Sequence, residues 1–548
     1  YGQSIESLRE TGNSDEIAQL QNIVAANSEA TSTLQEWRKQ FADYGRLLLE
    51  SEDIKEIHLG LDISLPEIWN FNNDVILIAG DNAEHVISCL QERGQKNVIQ
   101  IFEAKNEDEA LRQVSFFTQP RVLILSCRGS AKHQSALQKA YDGLVKNISQ
   151  FNTIEKYTPI VVKQHIQNLS NLQKFKNVKI ADSLRSEISG KKVIVVSPGP
   201  SLRKNIEFLR SLPPETMLLA PAQSFQALAK HEIHPDYIVI IDHSNYSDVL
   251  KDIDPNKVKG LIAAETCHPS FLEFDWNSVF IIPHIEMPQI LGNALGSHWR
   301  PAEYGASVSV QAVALSCEFK ASSVAVVGQD LAVDQGTYYD RSDRMIREEH
   351  SHLSKRIAIK GYYGGTAYTR SDYYLYLREL EFLASTYSKK CQLINCTEGG
   401  AFIDGWQHEP LASFLLRDAA SSEKEQASNR VEKINEDWKA QVNRAITTNI
   451  ERTQRILKQA NTTLKLITEV KGKPTKMGKL EKTETQLNAD VASLTWLNSL
   501  TRNDLLKLKR DISEVTLLSE NLDLSSRYYR AVKEQAIGLL TVLQKKGQ

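Results

Sequence analysis

Short apolar runs alternate with amphipathic stretches over roughly the first third of the chain. DVILIAG (74–80), NVIQIFEA (97–104) and RVLILSC (121–127) are rich in β-branched residues, and each leads into a helix-compatible segment. Runs of this length predict buried strands, and their alternation with helical patterns predicts βαβ units in a parallel sheet. The rhythm resumes at KKVIVVSPGPSL and continues to about 415 through TMLLAPA (216–222), DYIVIID (236–242), GLIAAE (260–265), SVFIIPH (278–284), SVAVVGQD (323–330) and CQLINCT (391–397). Past about 420 Pro and Gly nearly vanish. There Val431, Ile434, Trp438, Val442, Ile446, Ile450, Leu457 and Leu464 fall three, four or seven apart. After VKGKPTKMGK, read as a loop, Leu487, Val491, Leu494, Leu505, Leu508, Ile512 and Val515 continue the spacing. Such stripes predict long helices packed on one another. The pattern therefore predicts two α/β parallel-sheet domains, 1–180 and 181–418, and an all-α domain, 419–548.

Composition adds exclusions. A chain of 548 residues is too long for one ordinary core, in keeping with several domains. A net charge of -3 argues against broad nucleic-acid binding. With no run of eighteen apolar residues, a membrane span is not expected. YGQSIESLRE has neither the basic nor the apolar region of a secretory signal, and without an initiating Met the native start is read as trimmed. Cys89, Cys127, Cys267, Cys317, Cys391 and Cys396 are scattered through apolar segments, which reads as buried free thiols in a reducing cytoplasm.

In open parallel sheets the ligand sits beyond the carboxyl ends of the strands, so the residues closing each run carry the chemistry. VIVVSPGPSLRKN is the most suggestive of these ends. Gly199 permits close backbone approach, Pro200 fixes φ, and Ser201 is expected to cap a helix starting near Leu202, whose free N–H groups would face an anion. The turn has neither the Lys-Ser/Thr ending of a P-loop nor the three glycines of a dinucleotide fingerprint. The other ends are Pro221 to Ser224, Asp242 to Ser244, Gly328 to Asp330 and Thr397 to Gly400. Around one rim they would form a nucleotide-type pocket. The single-glycine corner AGDN (79–82) reads as structural, and neither His231 with His234 nor His350 with His352 has zinc-site spacing. The charged segment 340–356 follows Asp330 and reads as a solvated loop or a lid.

Four phrases in order, GPSL after a strand, HPDYIVIID, GASVSVQAVALSCEFKASSVAVVGQDLA and INCTEGGAFIDG, resemble the motility accessory factor (Maf) family of bacterial flagellin glycosyltransferases. The resemblance spans about 190–410 and implies a Rossmann-like domain, a second Rossmann-like catalytic domain and a C-terminal helical domain that meets flagellin. It further implies transfer of a pseudaminic- or legionaminic-type nonulosonic acid from a CMP-activated donor to Ser or Thr hydroxyls of flagellin in the cytoplasm.

The central domain is also similar to bacterial sialyltransferases that use CMP-sialic acid. By position, that similarity implies that Gly199, Pro200 and Ser201 line the donor phosphate and ribose and that Gln223 supplies an amide. It implies that Ser307 and Ser309 meet the nucleotide at a helix start, and that Gly328, Gln329 and Asp330 close the donor pocket. Asp242, Glu398 and Gly399 complete the set of donor-side residues at the strand ends. Tyr339 would assist the departing phosphate. Those enzymes carry a His general base before the helix leading to the final strand, whereas TAYTRSDYYLYLRELEFL from Thr366 has none. Asp372 is the nearest carboxylate, with Asp242, His243 or Asp330 as alternatives. No cofactor is obligatory; Mg²⁺ on Asp330 or Asp242 and a homo-oligomer both stay open. Two other readings compete: a non-catalytic flagellin-binding assembly factor, and a pterin pyrophosphokinase using ATP and Mg²⁺.

Overall fold

The computed structural model describes residues 75–79, 87–88, 91, 97–100, 122–126, 157–301, 307–332, 357–417, 437–513 and 517–545. Contacts divide the chain into two units, one of 1–156 with 351–356 and one of 157–350 with 357–548. In the first, β1 (Val75–Ala79), β2 (Asn97–Gln100) and β3 (Val122–Ser126) form a parallel sheet in the order β2-β1-β3, on the three apolar runs that predict them.

The second unit is built on β5 (Lys192–Val196), whose KVIVV is buried along its whole length. A strand covered on both faces needs apolar residues at successive positions, so the run does not alternate. Around it lie β4 (Val178–Ile180), β6 (Thr216–Pro221), β7 (Tyr237–Ile240), β8 (Gly260–Ala264), β9 (Val279–Ile282), β10 (Ser323–Val327), β13 (Gln392–Asn395) and β14 (Gln407–His408). Their order is β14-β13-β10-β5-β6-β7-β8-β9-β4, and every adjacent pair is parallel. A small antiparallel hairpin, β11 (Ile357–Lys360) with β12 (Thr366–Thr369), stands apart from this sheet.

Alternate residues of each strand feed two cores. Ile194, Val196, Ile238, Ile240, Ala325 and Val327 join one, Val193, Val195, Val239, Val324 and Val326 the other. The first core takes in α1 (157–171), α2 (Ala222–Ala229), α3 (Ile290–Leu295) and the C-terminal helices. The second takes in α4 (Val308–Glu318) and α5 (Ser371–Tyr387). Helix α4 is buried from Ser309 through Cys317, which explains why VSVQAVALSC shows no polar stripe.

The strand order locates a crevice. From β5 the chain steps one way through β6, β7, β8 and β9, then returns by α4 to lay β10 on the opposite side of β5. The carboxyl ends of β5 and β10 therefore flank the topological switch point.

Two expectations change. The boundary set at 180 falls instead before Tyr157, because β4 pairs with β9 and α1 packs in the first core, both belonging to the second unit. The 419–548 helices share a core with the sheet. Helices α6 (Trp438–Gly472), α7 (Met477–Ala492), α8 (Thr495–Ser513) and α9 (Leu518–Gln544) pack side by side, and α6 also packs on α3. The buried stripe of α6 runs Trp438, Val442, Ile446, Thr453, Ile456, Ala460, Thr463, Leu466, Ile467 and Val470, leaving Leu457 and Leu464 at its edge. Trp496 ties this layer to the sheet by donating its indole N–H to His165 Nδ1 on α1 at 2.9 Å, with both side chains fully buried. Trp496→Phe leaves that nitrogen unpaired inside the protein. The expected loss is about 1–3 kcal/mol, checked by the urea midpoint.

Candidate functional site

Three strand-end turns and one helix start converge at the switch point. Pro200–Lys204 leaves β5 as a 3-10 helix, with Gly199 before it. Beside it, Gly199 N–H donates to Gly328 O at 2.8 Å and Ser197 N–H to Val327 O at 2.8 Å, which zips the β5 and β10 turns together. The sequence expectation for Ser201 is corrected here. Its side chain caps no helix: Ser201 Oγ donates to Asp330 Oδ2 at 2.7 Å, and its backbone N–H lies 3.3 Å from the same oxygen. The turn thus cradles a carboxylate of the protein itself, and Asp330 is only 3% exposed. A buried charge is tolerated when hydrogen-bonded in this way.

A second strand of contacts runs alongside. Ser197 Oγ lies 2.7 Å from Ser309 Oγ, in the first turn of α4, and donates to Gln329 Oε1. Gln329 N–H donates to Thr397 Oγ1 at 3.2 Å. The β13 turn closes over β10: Ala401 N–H donates to Asp330 O at 2.7 Å. Asn205, fully buried, donates to Cys396 O at 3.3 Å. Ser307 is the N-cap of α4 and its side chain makes no capping bond to the first-turn N–H groups, which have no partner within the helix itself.

Of the residues singled out from sequence, Gly199, Pro200, Ser201, Ser309, Gly328, Gln329, Asp330, Glu398 and Gly399 come together in these turns, with Ser307 at the adjoining helix start. Gln223 is exposed on the first turn of α2, next to Ser224, whose hydroxyl donates to Val196 O at the end of β5 at 2.6 Å, so it borders the same edge. Others stand apart. Asp242 follows β7, two strands from β5. There burial pushes its carboxyl above the usual range, against the opposing hydrogen bond from Tyr246 and the nearby His243. Asp372 pairs with Arg370 at 2.6 Å. Tyr339 and the 340–356 segment lie outside the described residues. Among the described residues no group of three or more His, Cys, Asp and Glu is arranged to hold a metal. An open cleft of about 610 Å³, lined by Asn245, Ser247, Asp248, Lys251 and Phe274, lies beyond β7 and shares no residue with the switch-point turns.

A buried polar group that the sequence does not announce occupies the same carboxyl edge at β8 and β9. Glu265, 3% exposed, accepts the His284 N–H at 2.6 Å through Oε1, while Oε2 lies 3.3 Å from His165 Nε2. Because the Trp496 N–H points at His165 Nδ1, the neutral ring carries its proton on Nε2, toward Glu265. Burial holds His284 below the imidazole value of 6.5, against the opposing pull of Glu265 and Glu286. A histidine kept neutral in the fold binds its proton more readily when unfolded, so it contributes stability above pH 6.5 that is lost as the pH falls through that value. The urea midpoint is expected to drop between pH 7.5 and 5.5, and His284→Asn to flatten that slope.

The fold defines a doubly wound α/β protein with its switch point between β5 and β10, the place where such sheets take ligands. Residues 163–336 match the family described as 6-hydroxymethylpterin diphosphokinase MptE-like. That stretch holds the β5 and β10 turns, and the β13 turn lies outside it. No curated protein matches the chain. Among solved structures, the MAf glycosyltransferase from Magnetospirillum magneticum AMB-1 is similar over 86% of this chain and 75% of that one, at 12% identity and a TM-score of 0.45. Among the described residues no helix is long and apolar enough to cross a membrane.

Proposed function

We propose that this protein is a cytoplasmic glycosyltransferase that moves a nonulosonic acid from a CMP-activated donor to Ser or Thr hydroxyls of flagellin. The observation that carries the reading is the convergence of the GPS, GQD and TEGG turns, with the start of α4, at the switch point of the sheet. These are three of the stretches on which the Maf resemblance rests.

A CMP-sugar carries its own leaving group. The protein must stabilise charge on the departing phosphate and take a proton from the attacking hydroxyl. In this reading the N–H groups of the first turn of α4 face the phosphate, with the helix dipole behind them. Asp330, oriented by Ser201, takes the proton as the acceptor oxygen bonds to the anomeric carbon and CMP departs. Ser197 and Gln329 hold Ser309 and the β10 turn in register.

The family match favours a second reading, pyrophosphoryl transfer from ATP to a pterin with Mg²⁺. Incubating the full chain with CMP-pseudaminic or CMP-legionaminic acid and flagellin separates the two. The transferase reading predicts a flagellin mass increase of one sugar residue per site. Unchanged flagellin, together with diphosphate formed on a hydroxymethylpterin in the presence of ATP and Mg²⁺, contradicts it.

A further inference from the structure

Four glycines shape the switch-point turns, and packing accounts for three. A Cβ on Gly199 would lie 2.0 Å from Asp330 Oδ2 and 2.3 Å from Gly328 O. On Gly328 it would lie 2.1 Å from Ser197 O, and on Gly400 2.1 Å from Asp330 O; both also have left-handed backbones, at φ 66° and 68°. Gly399 differs. Its backbone is not left-handed, and the nearest atoms to a Cβ there would be Ser201 Cβ at 3.4 Å, Asp330 Oδ1 at 3.5 Å and Lys204 Nζ at 3.9 Å. Those are ordinary contact distances. A methyl group fits, so the fold does not demand glycine at 399, and the side chain's absence leaves a space between a carboxylate and an ammonium.

The groups around that space are held in place. Lys204 reaches from the end of the β5 turn to the β13 turn, where its ammonium donates to Glu398 O at 2.6 Å and sits 5.8 Å from the centre of the Tyr363 ring. Tyr363 belongs to the β11–β12 turn and donates its hydroxyl to the same carbonyl at 3.1 Å. Glu398 itself has φ 56°, a conformation costing a non-glycine residue about 1 kcal/mol or more. Two side chains from different elements thus pin one strained peptide, and the Tyr363 ring remains 75% exposed beside it.

We propose that the space over Gly399 is a ligand subsite in which Lys204 receives an anionic group of the donor and the exposed Tyr363 ring packs against an adjoining ring. This rests on the transferase reading. One ammonium, the Asp330 carboxylate and one aromatic face together suit a hydroxyl-rich ligand bearing a single acidic group: the carboxylate accepts a hydroxyl, the ammonium takes the charge and the aromatic ring takes the flat face. That acidic group is the nucleotide phosphate or the carboxylate of the sugar.

Titration calorimetry of the full chain with cytidine, CMP and an intact CMP-nonulosonic acid tests it, using Lys204→Met, Lys204→Arg, Tyr363→Leu and Gly399→Ala. Lys204→Met and Gly399→Ala are each expected to weaken the intact donor about tenfold or more. Tyr363→Leu should weaken it several-fold, and Lys204→Arg should retain most of the affinity. If the group is the phosphate, Lys204→Met weakens CMP and leaves cytidine unchanged. If it is the sugar carboxylate, CMP is unchanged and only the intact donor suffers. Donor affinity within twofold of wild type in both Lys204→Met and Gly399→Ala overturns the subsite and leaves the transferase reading standing. A wild-type chain that binds neither CMP nor donor overturns both.

Discussion

Gly199→Val is expected to be strongly destabilising, costing about 3 kcal/mol or more. The added Cβ would stand 2.0 Å from Asp330 Oδ2 and 2.3 Å from a backbone oxygen of the neighbouring turn. The first neighbour is a buried carboxylate held by Ser201, and the second is a carbonyl fixed by the Gly199 N–H bond, so neither can retreat cheaply. Relief would require separating β5 from β10, which pair along five residues each. Urea unfolding checks this directly. Gly399→Ala, made in parallel, is expected to fall within about 0.5 kcal/mol of wild type, as benign substitutions do. The contrast separates a glycine that packing requires from one that it does not.

Asp330→Asn is expected to give the largest loss of transfer for the smallest structural change. The amide keeps an oxygen for the Ser201 hydroxyl and N–H, so the turn stays cradled at a cost of about 1 kcal/mol. What disappears is the charge and the capacity to take a proton. Loss of a general base typically costs about 10²–10⁴-fold in rate, so the maximal rate on flagellin should fall by that order, with donor affinity changed far less. Asp330→Ala should also destabilise, because it leaves the Ser201 donors unpaired in the interior. A variant Asp330→Asn with near-wild-type turnover would remove Asp330 from the chemistry.

The strands were the most legible part of this chain. Strands buried on both faces need unbroken apolar runs, and each run named in the sequence became a strand. The edge strands β4 and β14, of three and two residues, are too short to carry a pattern. The hairpin around Gly361–Gly365 is marked differently, by the two alternating runs of IAIKGYYGGTAYT about a glycine-rich turn.

Strand order is a different matter. Nothing local says that β10 lies against β5, so the residues closing the strands could be named but not grouped. Asp330 meets Ser201 across 129 positions, and Trp496 meets His165 across 331. A serine before a helical stretch suggested a cap because the local pattern contains no competing acceptor, whereas the fold supplies one from another strand. Asp372 is the opposite case: its partner Arg370 lies two residues away, so the pairing that occupies it is local.

The central claim is that the switch-point crevice holds a cytidine nucleotide. Titration calorimetry of the intact chain with CMP, UDP, GDP and ATP, each with and without Mg²⁺, tests it most directly. The account predicts selective binding of CMP without a requirement for Mg²⁺. Binding of ATP only in the presence of Mg²⁺, with CMP giving no heat, would contradict it.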